Sequence, residues 1–448
     1  MNAPEPNGAG ARPMRVLLLN QVFYPDVAAT AQHADDLARH LVRHGHRVTA
    51  VASRSLYGQK GAALPKRETV DGVEIRRVGK SLFGKAGILA RVADFGLFYL
   101  AAGRAVLFGP KHDVVVCFTT PPFIALVGWL TRVFRRSKFV YWVMDLYPDL
   151  PVACGVMKPR SPLTRFFEGV NRFCLRRADR AVVLGRCMQD RVLAKKVPAE
   201  KVVHIGVWSD QDEVRPIPRD ENPYRKEWDL GDRFVVMYSG NFGIGHDVDT
   251  MCRAAEMLAG DDSIRFVFAG GGKKKELVEA FVKERNLPNC VLAPYQPREK
   301  LDASLSCADV HLATLLEGVE GIMVPCKLFG IMAAGRPCIF IGHPSSELSR
   351  VLAEHDAGLT VRQGDAEVLV QQIRALAADP NRTRAMGDNA RAALSSAYSR
   401  HDACEQWRLL LEEVTGLRSP RPAGENTPNR QANPTPVATD TTAPAQTE

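Results

Sequence analysis

The run MRVLLLN (14–20) and the segment HADDLARHLVRHGHRVTAVAS (33–53) decide the fold. The first is a continuous apolar stretch, as shown by a parallel strand covered on both faces. The second reads as an amphipathic helix from about Gln32, stops at Gly45 and passes into a strand over 47–52. Strand, helix, strand at this spacing is one βαβ unit, so the chain is α/β with a parallel sheet.

The alternation continues outward. Short strands are expected at VEIRRV (73–78), DVVVCF (113–118), KFVYWVM (138–144) and RAVVLG (180–185). The pattern breaks at RPIPRDENPYRKEWDLGD (215–232), rich in proline and charge. It restarts with RFVVMYSG (233–240), IRFVFAG (264–270), CVLAPY (290–295), DVHLATL (309–315) and PCIFIG (337–342). Two such halves imply two Rossmann-like domains facing each other, with ligands in a cleft at the carboxyl ends of the strands. The expected division is a flexible leader (1–13), an N-terminal domain (14–205), a linker (206–232), a C-terminal domain (233–395), a helix (396–416) and a disordered tail (417–448). The tail is rich in Pro, Thr and Ala and lacks the large apolar residues that would offset its ordering entropy.

Composition narrows the function. At 448 residues the chain exceeds one ordinary core. The net charge of +9 attracts phosphates, nucleic acid or an anionic leaflet alike. The bases are dispersed rather than interleaved with stacking aromatics, which argues against nucleic-acid binding. Ten cysteines without a C-x-x-C suit free thiols in a reducing cytoplasm and no zinc site. The N-terminus lacks the apolar core of a signal peptide, and no run of 18 apolar residues suggests a membrane span.

Four segments carry the candidate chemistry. The one after the first strand, NQVFYPDVAATAQ (20–32), has no glycine, which disfavours a nicotinamide enzyme. In the second half, SGNFGIGHDVDT (239–250) places Gly240, Gly243 and Gly245 before a helix near Asp247. Such a loop either receives phosphate or simply turns the chain. In EGVEGIMVPCKLFGIMAAGRP (317–337), Lys327 precedes or opens a helix with Leu328, Ile331 and Met332 on one face and an end at Ala334–Gly335. A cation near a helix start calls for a nearby anion; the alternative is a snorkelling surface lysine. Glu317 and Glu320 beside Gly318 and Gly321 are solvated carboxylates or acceptors for hydroxyls. In MDLYPDLP (144–151), Asp145 follows a strand and faces the expected cleft. It can take a proton or offset developing positive charge, or it can merely cap a turn. Asp26 is a second such carboxylate. Apolar stretches with interspersed bases, 81–111 and 165–180, are either core helices or an interfacial membrane surface.

At this point the chain resembles the retaining GT-B glycosyltransferases of family 4 over roughly residues 14–415. The likeness rests on FYPD (23–26), LARHLVRHGHRVTAVA (37–52), DLYPD (145–149), MYSGNFGIGHDVDT (237–250), FVFAGGGKKKELVE (266–279), ADVHLATL (308–315), EGIMVPCKLFGIMAAGRP (320–337) and AGLTVRQGDAEVL (357–369), in that order. It is most similar to the branch that builds bacterial surface polysaccharides. The resemblance implies a nucleotide-diphospho-sugar donor, with UDP preferred, and a glycan or lipid-linked acceptor. The free thiols place such an enzyme in the cytoplasm, and, where the apolar stretches are an interfacial surface, the basic charge draws it to the inner face of the membrane; no metal or other cofactor is expected.

Carried onto this sequence, the resemblance puts the diphosphate at Gly240, Asn241 and His246 and the base near Tyr295 and Gln296. The sugar hydroxyls fall at Glu320 and Gly321, and the acceptor-side loop holds Tyr24, Asp26 and Thr30. Asp145 and Glu320 are the catalytic candidates. Asn241 and His246 stand where the family commonly has arginine and lysine, and Gly330 stands at the second glutamate of its paired motif. Lys327 is therefore expected to supply the charge to the diphosphate. The competing readings are a GT-B nucleotide-sugar epimerase and a non-catalytic nucleotide-sugar-binding protein.

Overall fold

The computed structural model describes residues 12–26, 28–56, 64–79 and 88–418. The expected leader and tail lie almost wholly outside the described residues, as do residues 80–87 at the start of the first apolar stretch.

Two sheets carry the chain. The first comprises β1 (Arg15–Leu19), β2 (Arg47–Ser53), β3 (Arg67–Val70), β4 (Val73–Val78), β5 (Val114–Cys117), β6 (Lys138–Val143), β7 (Arg180–Val183) and β8 (Val202–His204). Their spatial order is β3-β4-β2-β1-β5-β6-β7-β8, parallel except for the β3–β4 hairpin. The second comprises β9 (Phe234–Asn241), β10 (Ile264–Gly271), β11 (Cys290–Ala293), β12 (Val310–Thr314), β13 (Cys338–Ile341) and β14 (Gly358–Val361), in the order β11-β10-β9-β12-β13-β14 and parallel.

The central strands are the ones the apolar runs announced. β5 and β12 are buried along their whole length because helices cover both faces. The three strands not expected as such, β3, β8 and β14, are short or half-exposed and lie at sheet edges. An edge strand needs no continuous apolar run, so it leaves little trace in the sequence.

In the second sheet the strand order reverses between β9 and β12, and in the first between β1 and β5. The connecting helices diverge at such a point and open a crevice at the carboxyl ends of the strands.

The halves are tied together in three places. One apolar cluster runs from the first sheet through Leu315, Val319, Ile322 and Leu328 of the second half. The helix Arg400–Thr415 returns to pack on the helix Ala29–Arg43, with Trp407 buried 4.3 Å from Trp142. Polar contacts complete the junction: the Leu146 amide donates to the Ile322 carbonyl (2.9 Å), and Arg186 donates to Glu347 through its amide (2.6 Å) and its Nε (2.9 Å).

The segment 206–232 is structured in its second half. Asn222 caps the helix Pro223–Glu227, and the buried Arg225 donates to the carbonyls of Cys307 (2.7 Å) and Arg233 (2.6 Å). That part of the connection packs on the second sheet, with Tyr224 and Leu230 in its core.

Candidate active site

The carboxyl ends of β9 and β10 meet without side chains between them. Gly240 and Gly270 pair in register, with φ of +131° and +130°. A Cβ on Gly270 would lie 1.9 Å from the Gly240 carbonyl oxygen, so any larger residue is excluded. Gly271 is overlaid by the Tyr295 ring, which a Cβ would approach to 2.8 Å. Gly272, at φ +125°, would collide with Asn241. A bare backbone floor results, and sequence reasoning found only its Gly240 half. The run GGGKKK was legible, but its pairing with Gly240 depends on the sheet register.

Lys327 is the first residue of the helix Lys327–Ala333, whose Leu328, Ile331 and Met332 are buried as the helical spacing requires. Gly335 ends it at φ +62°. The lysine side chain lies against the glycine floor: its Nζ is 3.8 Å from the position a Gly240 Cβ would occupy. The same nitrogen donates to the Tyr238 hydroxyl and stands 3.8 Å from that ring's centre. Desolvation lowers the ammonium to about 7. No carboxylate pairs with it among the described residues.

His246 does not replace this cation. Its Nδ1 faces the Thr314 carbonyl at 2.6 Å, and since a carbonyl only accepts, Nδ1 carries the proton. Burial first, and the charge of Lys327 second, push the ring down to about 3, so it is neutral. Lys274 contributes a second positive charge to the loop, donating from Nζ to the His246 carbonyl at 2.6 Å. In the run GGGKKK nothing local marks Lys274 off from the lysines beside it.

Asp145 follows β6 and reaches the same region from the first domain. It forms an antiparallel bridge with Met323, whose sulfur would lie 3.3 Å from a Cβ on Gly245. The strand end carrying Asp145 is thus joined through one residue to the glycine loop. Burial raises this carboxyl to about 6. Among the described residues it has no ion-pair partner, and the N-cap position of the helix Asp149–Ala153 is held by Pro148, not by Asp145.

The remaining candidates divide. Glu320 folds back, its carboxylate accepting from the Gly318 amide at 2.9 and 3.0 Å, while its carbonyl accepts from Arg191 of the first domain. Glu317 pairs with Arg362 at 3.2 Å. Gly321 belongs to the domain junction: at φ +69°, its Cβ would lie 2.4 Å from the Cys187 carbonyl oxygen. Gln296 accepts from the Tyr224 hydroxyl at 2.7 Å.

The chain matches two family descriptions in succession, Glycosyl transferase 4-like domain over residues 29–208 and Glycosyl transferases group 1 over residues 220–393. Together they cover both sheets except β1, and the site just described. The chain is a GT-B glycosyltransferase. This glycosyltransferase is 28% identical over 310 residues to a Pseudomonas aeruginosa protein described as "Probable glycosyltransferase WbjE", covering 68% of this chain and 76% of that one. It is 22% identical over 374 residues to an Escherichia coli K12 protein described as "Putative colanic acid biosynthesis glycosyl transferase WcaI", covering 81% and 91%. Among solved structures it superposes on Anabaena HepE in complex with UDP and glucose, with a TM-score of 0.67, 15% identity and coverage of 89% and 100%.

In the glycosyltransferase the loop expected on the acceptor side lies at the carboxyl end of β1, at the switch point of the first sheet. Asp26 is buried and accepts from the Ala28 amide at 3.1 Å, an Asx turn that leads into the helix Ala29–Arg43. Thr30 lies in that helix's first turn, and Tyr24 is partly exposed beneath Arg39, 5.3 Å from the guanidinium carbon.

Proposed function

We propose that the protein transfers a sugar, with retention, from a UDP-sugar to a glycan or lipid-linked acceptor in bacterial surface-polysaccharide synthesis. The observation that carries this reading is Lys327, an ammonium with no carboxylate partner among the described residues, held against the glycine floor of β9 and β10. A partly buried cation without a counter-ion carries a desolvation cost, and a diphosphate supplies the missing charge. As the glycosidic bond breaks, the leaving diphosphate gains negative charge. Lys327 and the exposed amides of the floor stabilise it where water is excluded. Asp145, on the opposite domain, offsets positive charge at the anomeric carbon or orients the acceptor hydroxyl. The departing phosphate takes the hydroxyl proton on the same face, which preserves the anomeric configuration.

The sugar nucleotide is supported by HepE's complex with UDP and glucose, and the polysaccharide role by the description of WcaI. A lipid-linked acceptor is supported by an apolar surface on the first domain. Leu100 and Phe108, Val133 and Phe134, and Leu163 and Phe166 are all exposed, on or beside three helices packed in series. Arg104, Arg132, Arg136 and Arg165 among them are exposed too, the mixture an anionic bilayer interface receives. No helix among the described residues is long and apolar enough to cross a membrane.

The test incubates the protein with a panel of UDP-sugars, with and without membrane extract, and follows both nucleotide and sugar. Acceptor-dependent release of UDP with label entering the lipid fraction is expected. An altered UDP-sugar formed without acceptor would establish the epimerase reading instead. Binding without turnover of either kind would leave a non-catalytic receptor.

A further inference from the structure

A second cluster lies away from the cleft, between the helix that opens the first domain and the one that closes the chain. His40 and His44, four residues apart, stand on one face at the carboxyl end of the helix Ala29–Arg43. Glu405 reaches them from the helix Arg400–Thr415. Each of the three offers a ligand atom within 4.8 Å of the other two. A tetrahedral zinc with nitrogen and oxygen ligands at about 2.0–2.1 Å needs these atoms about 3.4 Å apart. His40 Nε2 and Glu405 Oε2 are already at 3.2 Å.

The surrounding bonds prepare the imidazoles and the carboxylate for an ion. His44 Nδ1 faces the His40 carbonyl at 2.8 Å and must carry the proton, which leaves Nε2 as the lone-pair donor. Arg408 grips Glu405 with two bonds, of 2.8 Å to Oε2 and 2.5 Å to Oε1, and so fixes its plane. Metal ligands are commonly oriented in this way by outer partners. The carboxyl end of the helix Ala29–Arg43 adds the negative pole of its dipole, which favours a cation. His401 closes the group, its ring 5.7 Å from that of His40. His40 and His401 both line a 440 Å³ cavity, which gives solvent and ions a way in.

We propose that His40, His44 and Glu405 form a binding site for a zinc-class divalent ion, completed by water or by His401. Two imidazoles and one carboxylate with an open position suit zinc, cobalt or nickel and not magnesium, which demands an octahedron of oxygens. The ion ties the returning C-terminal helix to the first helix of the opposite domain. It sits about 20 Å along that helix from Thr30, on the rise of 1.5 Å per residue, and takes no part in the transfer.

The full-length protein, freed of metal, is titrated with cobalt(II) and read by visible absorption. One equivalent per chain is expected, with tetrahedral d–d bands, no thiolate charge-transfer band in the near ultraviolet, and displacement by zinc but not by magnesium. His44→Gln, at a half-buried position the fold tolerates, should weaken cobalt affinity by at least about tenfold while transfer activity stays unchanged. Glu405→Gln should behave alike. Absence of d–d bands, a thiolate signature, or equal affinity in wild type and His44→Gln would overturn the proposal.

Discussion

The ammonium of Lys327 stands 3.8 Å from the ring centre of Tyr238 and the same distance from the point where a side chain on Gly240 would begin. The lysine opens a helix in the second half of the C-terminal domain, and the other two residues end its first strand. They meet because β12 returns to the far side of β9 and the chain that follows passes over the strand ends.

Removal of this charge should act on donor binding. Lys327→Ala is expected to raise the UDP dissociation constant by at least about tenfold, the scale of a charge-assisted contact of roughly 1.5–3 kcal/mol. Isothermal calorimetry measures it directly. An unchanged constant would remove Lys327 from the donor site.

The lowered proton affinity of Lys327 makes donor binding depend on pH. With the free protein's ammonium at about 7, only about one lysine in ten is charged at pH 8. A bound diphosphate restores the charge, so UDP should bind with proton uptake near pH 8, seen as a buffer-dependent enthalpy. The sign follows from the depressed value: the free native state holds fewer protons than the unfolded chain between about 7 and 10.5. Its stability is therefore lost as pH falls towards 7. Lys327→Arg, always charged, should bind UDP without uptake.

Asp145→Asn should leave UDP affinity within about twofold and lower kcat by about 10²–10⁴, the range of a positioned proton-transfer group. In the wild type the acidic limb of kcat/KM should fall near pH 6, where burial places this carboxyl. A variant that retains near-normal turnover would assign the role to another residue.

Gly321→Ala probes the junction. Its new methyl would meet the Cys187 carbonyl at 2.4 Å in a left-handed conformation, so the domains must part to admit it. A loss of about 1–3 kcal/mol is expected by chemical denaturation. Gly318→Ala should not force the domains apart: it has φ +91° and open space around its Cβ, so only local strain is expected.

Exposed Leu100 and Phe108 should matter only at a membrane. The double change to glutamate is expected to abolish sedimentation with vesicles containing phosphatidylglycerol while leaving UDP binding intact. Equal pelleting would locate the membrane contact elsewhere.

The sequence by itself determined the α/β class and the central strands, and it marked Gly240 and Lys327 as site candidates. Continuous apolar runs and glycine stops arise from burial and local backbone geometry, which neighbouring residues set. The helix face of Leu328, Ile331 and Met332 was legible for that reason. Only tertiary structure decided that Gly270 lies on Gly240, that Gly321 serves the domain junction, and that His246 is neutral. It alone brought Glu405 to His40 across 365 positions of chain. Register, desolvation and close approach of distant segments depend on what surrounds a residue in space, and no local pattern records them.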